Sequence, residues 1–234
     1  MASKTRRSPR KVKGAPSPSA RPERPEDPSP PPTLFPVVGV GASAGGLEAF
    51  AQLLRNLPSD SGMAFVLVQH LAPKHESILA SILARETPMS VREATDGVPL
   101  EPNHVYVIPP NQDMILSDGH LVLQPRSAIG GRHLPVDLFL RTLAAVQGSQ
   151  AVAVVLSGTG NDGTLGCQAV KAAGGISFAQ DPTSARYDGM PRSAIAAGCV
   201  DFVLPPAGIA RELTRLGRHP YMAAGAPRAL RLGR

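Results

Sequence analysis

From position 36 onward, short apolar runs alternate with stretches of helical periodicity. VVGVG at 37–41 reads as a buried strand. LEAFAQLLRNL at 47–57 sets Leu47, Phe50, Ala51, Leu54 and Leu57 on one helical face before Pro58 stops it. The unit repeats with MAFVLVQ at 63–69 as a strand and ESILASILARE at 76–86 as a helix ending before Thr87-Pro88. Between about 98 and 124 the rhythm changes to short strands, the last two joined at Ser117-Asp118-Gly119-His120, where Asp-Gly is a hairpin signal. Alternation returns with helices at 136–146, 164–174, 191–198 and 208–217 and strands at 151–157, 175–180 and 200–205. Parallel strands need crossover connections. The pattern therefore predicts an α/β fold: a doubly wound, mostly parallel sheet with helices on both faces and an antiparallel hairpin insertion near 98–124.

Composition sharpens the boundaries. The 234 residues carry a net charge of +6, but residues 1–33 hold +5, residues 34–217 hold −3 and residues 218–234 hold +4. Ten of the 25 prolines fall within the first 36 positions. Such a segment buries too little apolar surface to offset its ordering entropy. We expect a disordered basic tail at 1–33, a catalytic-type domain at 34–217 and a basic C-terminal tail at 218–234. The tail could touch polyanions nonspecifically; a slightly acidic middle without Trp argues against specific nucleic-acid binding. The apolar runs at 63–68 and 151–156 are six residues long, against the roughly 20 that a membrane span needs. No secretory h-region follows the basic start, so a cytoplasmic address is expected. Cys167 and Cys199 read as buried small hydrophobes, too few and too far apart in sequence for a disulfide scaffold.

Ligands in open parallel sheets sit beyond the carboxyl ends of strands. Three loops at such ends carry reactive side chains: Gly41-Ala42-Ser43-Ala44-Gly45-Gly46, Gln69-His70-Leu71-Ala72-Pro73 and Ser157-Gly158-Thr159-Gly160-Asn161-Asp162-Gly163. Together they supply a serine, an imidazole that can take its proton, and a carboxylate that can orient the imidazole. Each residue also has a structural alternative. Ser43 could cap the helix that follows, His70 could be a satisfied structural histidine, and Asp162 could cap the next helix or close an Asx turn. A dinucleotide site competes as well, because Gly39-Val40-Gly41-Ala42-Ser43-Ala44 fits G-x-G-x-x-A; the acidic ribose partner expected about 20 residues on is missing.

VVGVGASAGGLEAF, VLVQHLAP, YVIPPN, VVLSGTGNDGTLG and DGMPRSAIAAGCVDFVLP, in that order over 36–217, resemble the catalytic domain of the bacterial chemotaxis protein-glutamate methylesterase family. The resemblance implies a doubly wound α/β fold and hydrolysis of glutamate methyl esters on methyl-accepting chemoreceptors or related signalling proteins, with deamidation of glutamine as a second activity. It implies Ser43 as nucleophile, His70 as general base and Asp162 as orienting carboxylate. The backbone N–H groups of Thr159 and Ala44 are then oxyanion donors, and Met190 and Arg192 line the cleft. Ala44 stands where better-known members have Thr, and Thr159 where they have Met, so pocket polarity differs. Lys74 and His75 are weaker candidates for contact with an acidic receptor surface. His104, His120, His133 and His219 share no metal-ligand spacing, so neither a metal nor an organic cofactor is expected. The length before 34 leaves no room for a phosphoacceptor domain, which points to a regulator acting in trans. The residues leave two other readings open: a noncatalytic module that binds methylated partners, and a dinucleotide-binding domain.

Overall fold

The computed structural model describes residues 35–69, 78–126 and 133–219. The expected tails, together with His70, Lys74 and His75, lie outside the described residues, apart from Arg218 and His219 at the end of the last helix.

β1 (Val37–Ala42) and β2 (Ala64–Gln69) pair in parallel with Val37 opposite Ala64 and Ala42 opposite Gln69. Both are apolar on both faces, as strands at the centre of a covered parallel sheet must be. β1 also pairs with β8 (Ala151–Val155), which pairs with β9 (Ile176–Gln180) and, through it, with β10 (Phe202–Leu204). On the other side β2 pairs with β5 (His104–Val107), and β5 with β3 (Ser90–Glu93). The sheet order is β10-β9-β8-β1-β2-β5-β3, all parallel.

Alternate residues divide the core. Val38, Val40 and Ala42 of β1, with Phe65 and Leu67 of β2, face α1 (Gly46–Arg55), α2 (Leu79–Leu83) and α6 (Pro206–Gly217). Val37, Ala64, Val66 and Val68 face α3 (Pro135–Gln147), α4 (Thr164–Ala172) and α5 (Gly189–Ala196). Cys167 and Cys199 lie in this second layer as buried free thiols.

The doubly wound reading holds, with three differences of detail. β5 was expected within the antiparallel insertion and instead joins the main sheet, because Val105, Tyr106 and Val107 are buried between two parallel neighbours. β3 had no counterpart in the expected elements; it is an edge strand, half exposed, with no apolar run. The separate antiparallel sheet is β4 (Val98–Pro99), β7 (His120–Pro125) and β6 (Gln112–Ser117). Its hairpin closes as expected, Ser117 opposite His120, with Asp118 and Gly119 both at positive φ (47° and 77°), the backbone of a two-residue I′ turn. Helix α2 is shorter than the 76–86 pattern suggested.

Candidate functional site

In a sheet wound in two directions from one strand, the crevice opens where strand order reverses. Here that point is the carboxyl end of the β1–β8 pair. Two of the three candidate loops leave from these strands. Their backbones are joined: Ser43 N–H donates to the Ser157 carbonyl at 3.0 Å, and Leu156 N–H to the Gly41 carbonyl at 2.9 Å.

Ser43 is half-buried, and its carbonyl accepts the Gly46 N–H at 2.9 Å. The N-cap of α1 is Gly45, in the left-handed region with φ 73°, and no side chain caps that helix. The capping alternative for Ser43 is therefore overturned; one turn through Ala44 and Gly45 intervenes before the helix starts, which leaves the serine outside the first helical turn. Ala44 is exposed at this turn, and its carbonyl accepts the Ser157 hydroxyl at 2.8 Å. Gly158 faces Ser43 so closely that a Cβ on it would lie 2.9 Å from the Ser43 Cβ. Thr159, the next residue, is exposed on the rim of the loop.

Asp162 lies at the other end of that loop and is 3% exposed. Its Oδ2 accepts the Val136 N–H at 3.0 Å, and its Oδ1 accepts the N–H groups of Asp137 at 2.8 Å and Gly163 at 2.9 Å. A carboxylate facing a helix N-terminus gains from both the unpaired N–H groups and the axial dipole. Capping of the next helix was one alternative for Asp162; the helix it caps is α3, the preceding one, while the Gly163 contact is the local Asx-type bond.

Three buried polar residues around these loops escaped the sequence reading. Ser157, 1% exposed, ties the Ser43 loop to the segment before α5: its hydroxyl donates to the Ala44 carbonyl, with the Tyr187 carbonyl also in reach at 3.2 Å, and accepts the Tyr187 N–H at 3.0 Å. Gln180 ends β9 with its Oε1 on the Ser157 N–H (2.8 Å) and its Nε2 on the Ser184 carbonyl (3.0 Å). Asp137 accepts the Gly166 N–H at 2.8 Å. Burial, with the charge of Asp162 as a smaller contributor, pushes its carboxyl above the ordinary carboxylate value. The usable signal for Ser157 and Gln180 was a polar residue closing an otherwise apolar strand beside the switch point.

Met190 is fully buried, with its N–H on the Gly158 carbonyl at 2.9 Å, and it packs directly behind Gly158. Arg192 is exposed and pairs with Asp188 at 2.5 Å. The dinucleotide reading does not survive this geometry. Gly39 and Gly41 lie inside β1, not in the turn, and a Cβ at either would strike α3: Leu140 at 2.6 Å from position 39, Val136 at 2.2 Å from position 41. Both glycines serve to seat α3 on the sheet, so no backbone face is left for a pyrophosphate. Among the described residues no three His, Cys, Asp or Glu side chains gather as a metal site, and no helix is long and apolar enough to cross a membrane.

The comparisons with known proteins agree with this architecture. A protein of Rhodobacter capsulatus named "Uncharacterized 104.1 kDa protein in hypE 3'region" is 48% identical over 155 residues, 66% of this chain and 15% of that protein. A protein-glutamate methylesterase/protein-glutamine glutaminase of Bordetella parapertussis is 39% identical over 187 residues, 77% of this chain and 53% of the relative. The chain thus spans about half the length of such relatives. The crystal structure of the Thermotoga maritima CheB methylesterase catalytic domain superposes with a TM-score of 0.72 at 33% identity, covering 78% of this chain and 98% of that one. The family model described as CheB methylesterase matches residues 38–213, and the chain belongs to that family.

Proposed function

We propose that this chain is a serine hydrolase that removes methyl groups from glutamate γ-methyl esters on methyl-accepting signalling proteins, chemoreceptors among them, and deamidates glutamine by the same chemistry. One observation carries the reading: the switch point brings Ser43 against the 157–162 loop, at whose far end Asp162 is held as a buried carboxylate by three N–H donors. Position 70 follows Gln69, whose Cα is the register partner of Ala42, and Ser43 follows Ala42. In sequence, the serine and the histidine thus each directly follow one member of the Ala42–Gln69 pair. The names of the relatives support the substrate class.

In this reading His70 takes the proton of the Ser43 hydroxyl as Oγ attacks the ester carbonyl. Asp162 fixes the imidazole tautomer and stabilises its cation. The backbone N–H groups of Thr159 and Ala44 receive the oxyanion; being backbone donors, they serve whether the side chains are Thr and Ala or the larger groups of other members. Methanol leaves with the proton held by His70, and water then hydrolyses the acyl-enzyme to the free glutamate. Ammonia is the leaving group in the glutamine reaction. Arg192, beside Asp188 on the rim, offers a cation to an acidic receptor segment.

Methanol release from methylated receptor membranes tests the proposal. Ser43→Ala and His70→Ala are each expected to lose at least about 10⁴-fold in kcat. A fluorophosphonate probe should label Ser43 in the wild type and leave Ser43→Ala unlabelled. Absence of both methanol release and labelling in the wild type would transfer the assignment to a noncatalytic module that binds methylated partners.

A further inference from the structure

Helix α3 opens as Pro135-Val136-Asp137, and its N-cap residue, Leu134, supplies no side-chain acceptor. Helix α4 opens after Gly163, at φ 93°, and again no local side chain caps it. The first N–H groups of a helix need acceptors. Each helix takes its acceptor from the other. Asp162, just before α4, accepts Val136 and Asp137 N–H at the start of α3. Asp137, in the first turn of α3, accepts Gly166 N–H at the start of α4, with the N–H groups of Gly163 and Leu165 also directed at its carboxylate. The two carboxylates are 5% and 3% exposed and joined through one bond, Asp137 N–H to Asp162 Oδ1.

Stability alone does not account for this choice. A serine or threonine at each N-cap would satisfy the same donors without bringing two carboxylates together out of water, where each costs free energy and each disfavours the other's charge. What reciprocal caps do accomplish is geometric. Both Asp162 oxygens are held by α3, so the direction of that carboxylate follows the position of the α3 N-terminus. The position of the α3 N-terminus relative to the 157–163 loop is in turn held by Asp137.

We propose that Asp137 is a positioning residue for hydrolysis at Ser43: through its grip on α4 and through its own N–H, it aims the Asp162 carboxylate that serves His70. The inference rests on the hydrolase reading above. Asp137 touches neither substrate nor reacting atoms and acts through Asp162. Among the described residues, the titratable groups that face it are Asp162 from the loop and Cys167 from α4. Neither supplies a cation, so the Asp137 carboxylate, when ionised, adds to the negative field around Asp162.

Asp137→Asn is the informative change, because it keeps the size of the side chain while one of its two acceptor oxygens becomes an NH₂ donor facing the N–H groups at the start of α4, so the grip loosens and the charge is gone. In the full chain, with methylated receptor membranes as substrate, kcat is expected to fall about 10-fold to 100-fold with KM unchanged, the cost typical of a misaimed catalytic group. The acid limb of the kcat/KM profile should move to lower pH by roughly half a unit to one unit, the order expected for removal of one partly screened charge. The sign follows from the charge: a nearby anion favours the imidazolium, so its removal keeps the imidazole basic further into acid. A purely structural cap would lower the melting temperature without moving that limb. The small fluorophosphonate probe gives a second readout, and its labelling rate should fall in parallel with kcat. Wild-type kcat and an unmoved acid limb in Asp137→Asn, with the wild type active, overturn the positioning role and leave the hydrolase reading intact. A wild type that neither releases methanol nor labels overturns both, and Asp137 is then only the cap of α4.

Discussion

Gly158 offers the sharpest test of how tightly the site is packed. A side chain there is opposed by space alone: its φ lies outside the left-handed region, so alanine meets no backbone strain. A Cβ at position 158 would sit 2.1 Å from the Met190 sulfur, 3.1 Å from its Cγ and 2.9 Å from the Ser43 Cβ. Met190 is fully buried and has no solvent to retreat into. Nor can position 158 move away, because its N–H is held by the Tyr187 carbonyl and its carbonyl by the Met190 N–H, both at 2.9 Å. Overpacking of this kind costs about 1–3 kcal/mol. For a domain of this size the melting temperature should drop by about 2–12 °C. Met190→Ala alone should cost about 2–5 kcal/mol through the cavity it leaves. In Gly158→Ala/Met190→Ala the new methyl enters that cavity, so the double variant should be more stable than the sum of the singles by at least about 1 kcal/mol. Urea unfolding of all four proteins, at constant m, measures the coupling. The site reports in parallel: Gly158→Ala should slow fluorophosphonate labelling of Ser43 by about 100-fold, and Met190→Ala in the same chain should recover part of the rate. Additivity within about 0.5 kcal/mol would refute the reasoning, since it would mean that the methyl and the thioether never compete for the same space.

Two further outcomes follow from the buried polar groups. Ser157→Ala removes a buried hydroxyl that donates to the Ala44 carbonyl and accepts the Tyr187 N–H, and at about 0.5–1.5 kcal/mol per bond should cost about 1–3 kcal/mol in urea unfolding; a loss below about 0.5 kcal/mol would show that the loops hold without the clasp. Burial raises the Asp137 carboxyl above 3.8, so the stability it contributes is fully present below that value and is lost as pH rises through the higher folded value. The unfolding free energy of the wild type relative to Asp137→Asn should therefore decline across that window, and a difference independent of pH would contradict the assignment.

Much of the fold was legible because burial on both faces leaves a simple trace in the chain. β1, β2 and β8 are runs of apolar residues with no room for another reading, and the helix after β1 repeats its apolar face at helical spacing before Pro58. The hairpin at Asp118-Gly119 was legible because only a few residues adopt the positive φ that its turn needs. Edge elements left a weaker trace. Ser90–Glu93 has one apolar residue; it joins β5 through the parallel ladder, supplemented by Arg92 donating to the Tyr106 hydroxyl at 2.8 Å, a contact between residues 14 apart that no periodicity encodes. His104–Val107 was drawn into the insertion because HVYV alternates like its antiparallel neighbours, whereas its pairing is decided by β2 and β3 on either side.

The candidate site divides along the same line. Ser43 and Asp162 could be singled out from sequence because each is a polar residue in a glycine-rich loop after a buried strand, although Asp162 also caps α3. Asp137 was invisible for a physical reason: an acidic residue in the first turn of a helix reads as a complement to that helix's own dipole. In the folded chain its carboxylate serves a different helix, and its own helix is served by Asp162, 25 positions later. Such an exchange is defined only once α3 and α4 lie side by side, so it is a property of packing and not of either segment. The same exchange explains why Gly39 and Gly41 belong with the site although they touch no substrate. They let α3 settle onto β1 with Val136 and Leu140 in contact with the strand backbone, and without that descent the α3 N-terminus would stand too far from the 157–163 loop for Asp162 to reach it.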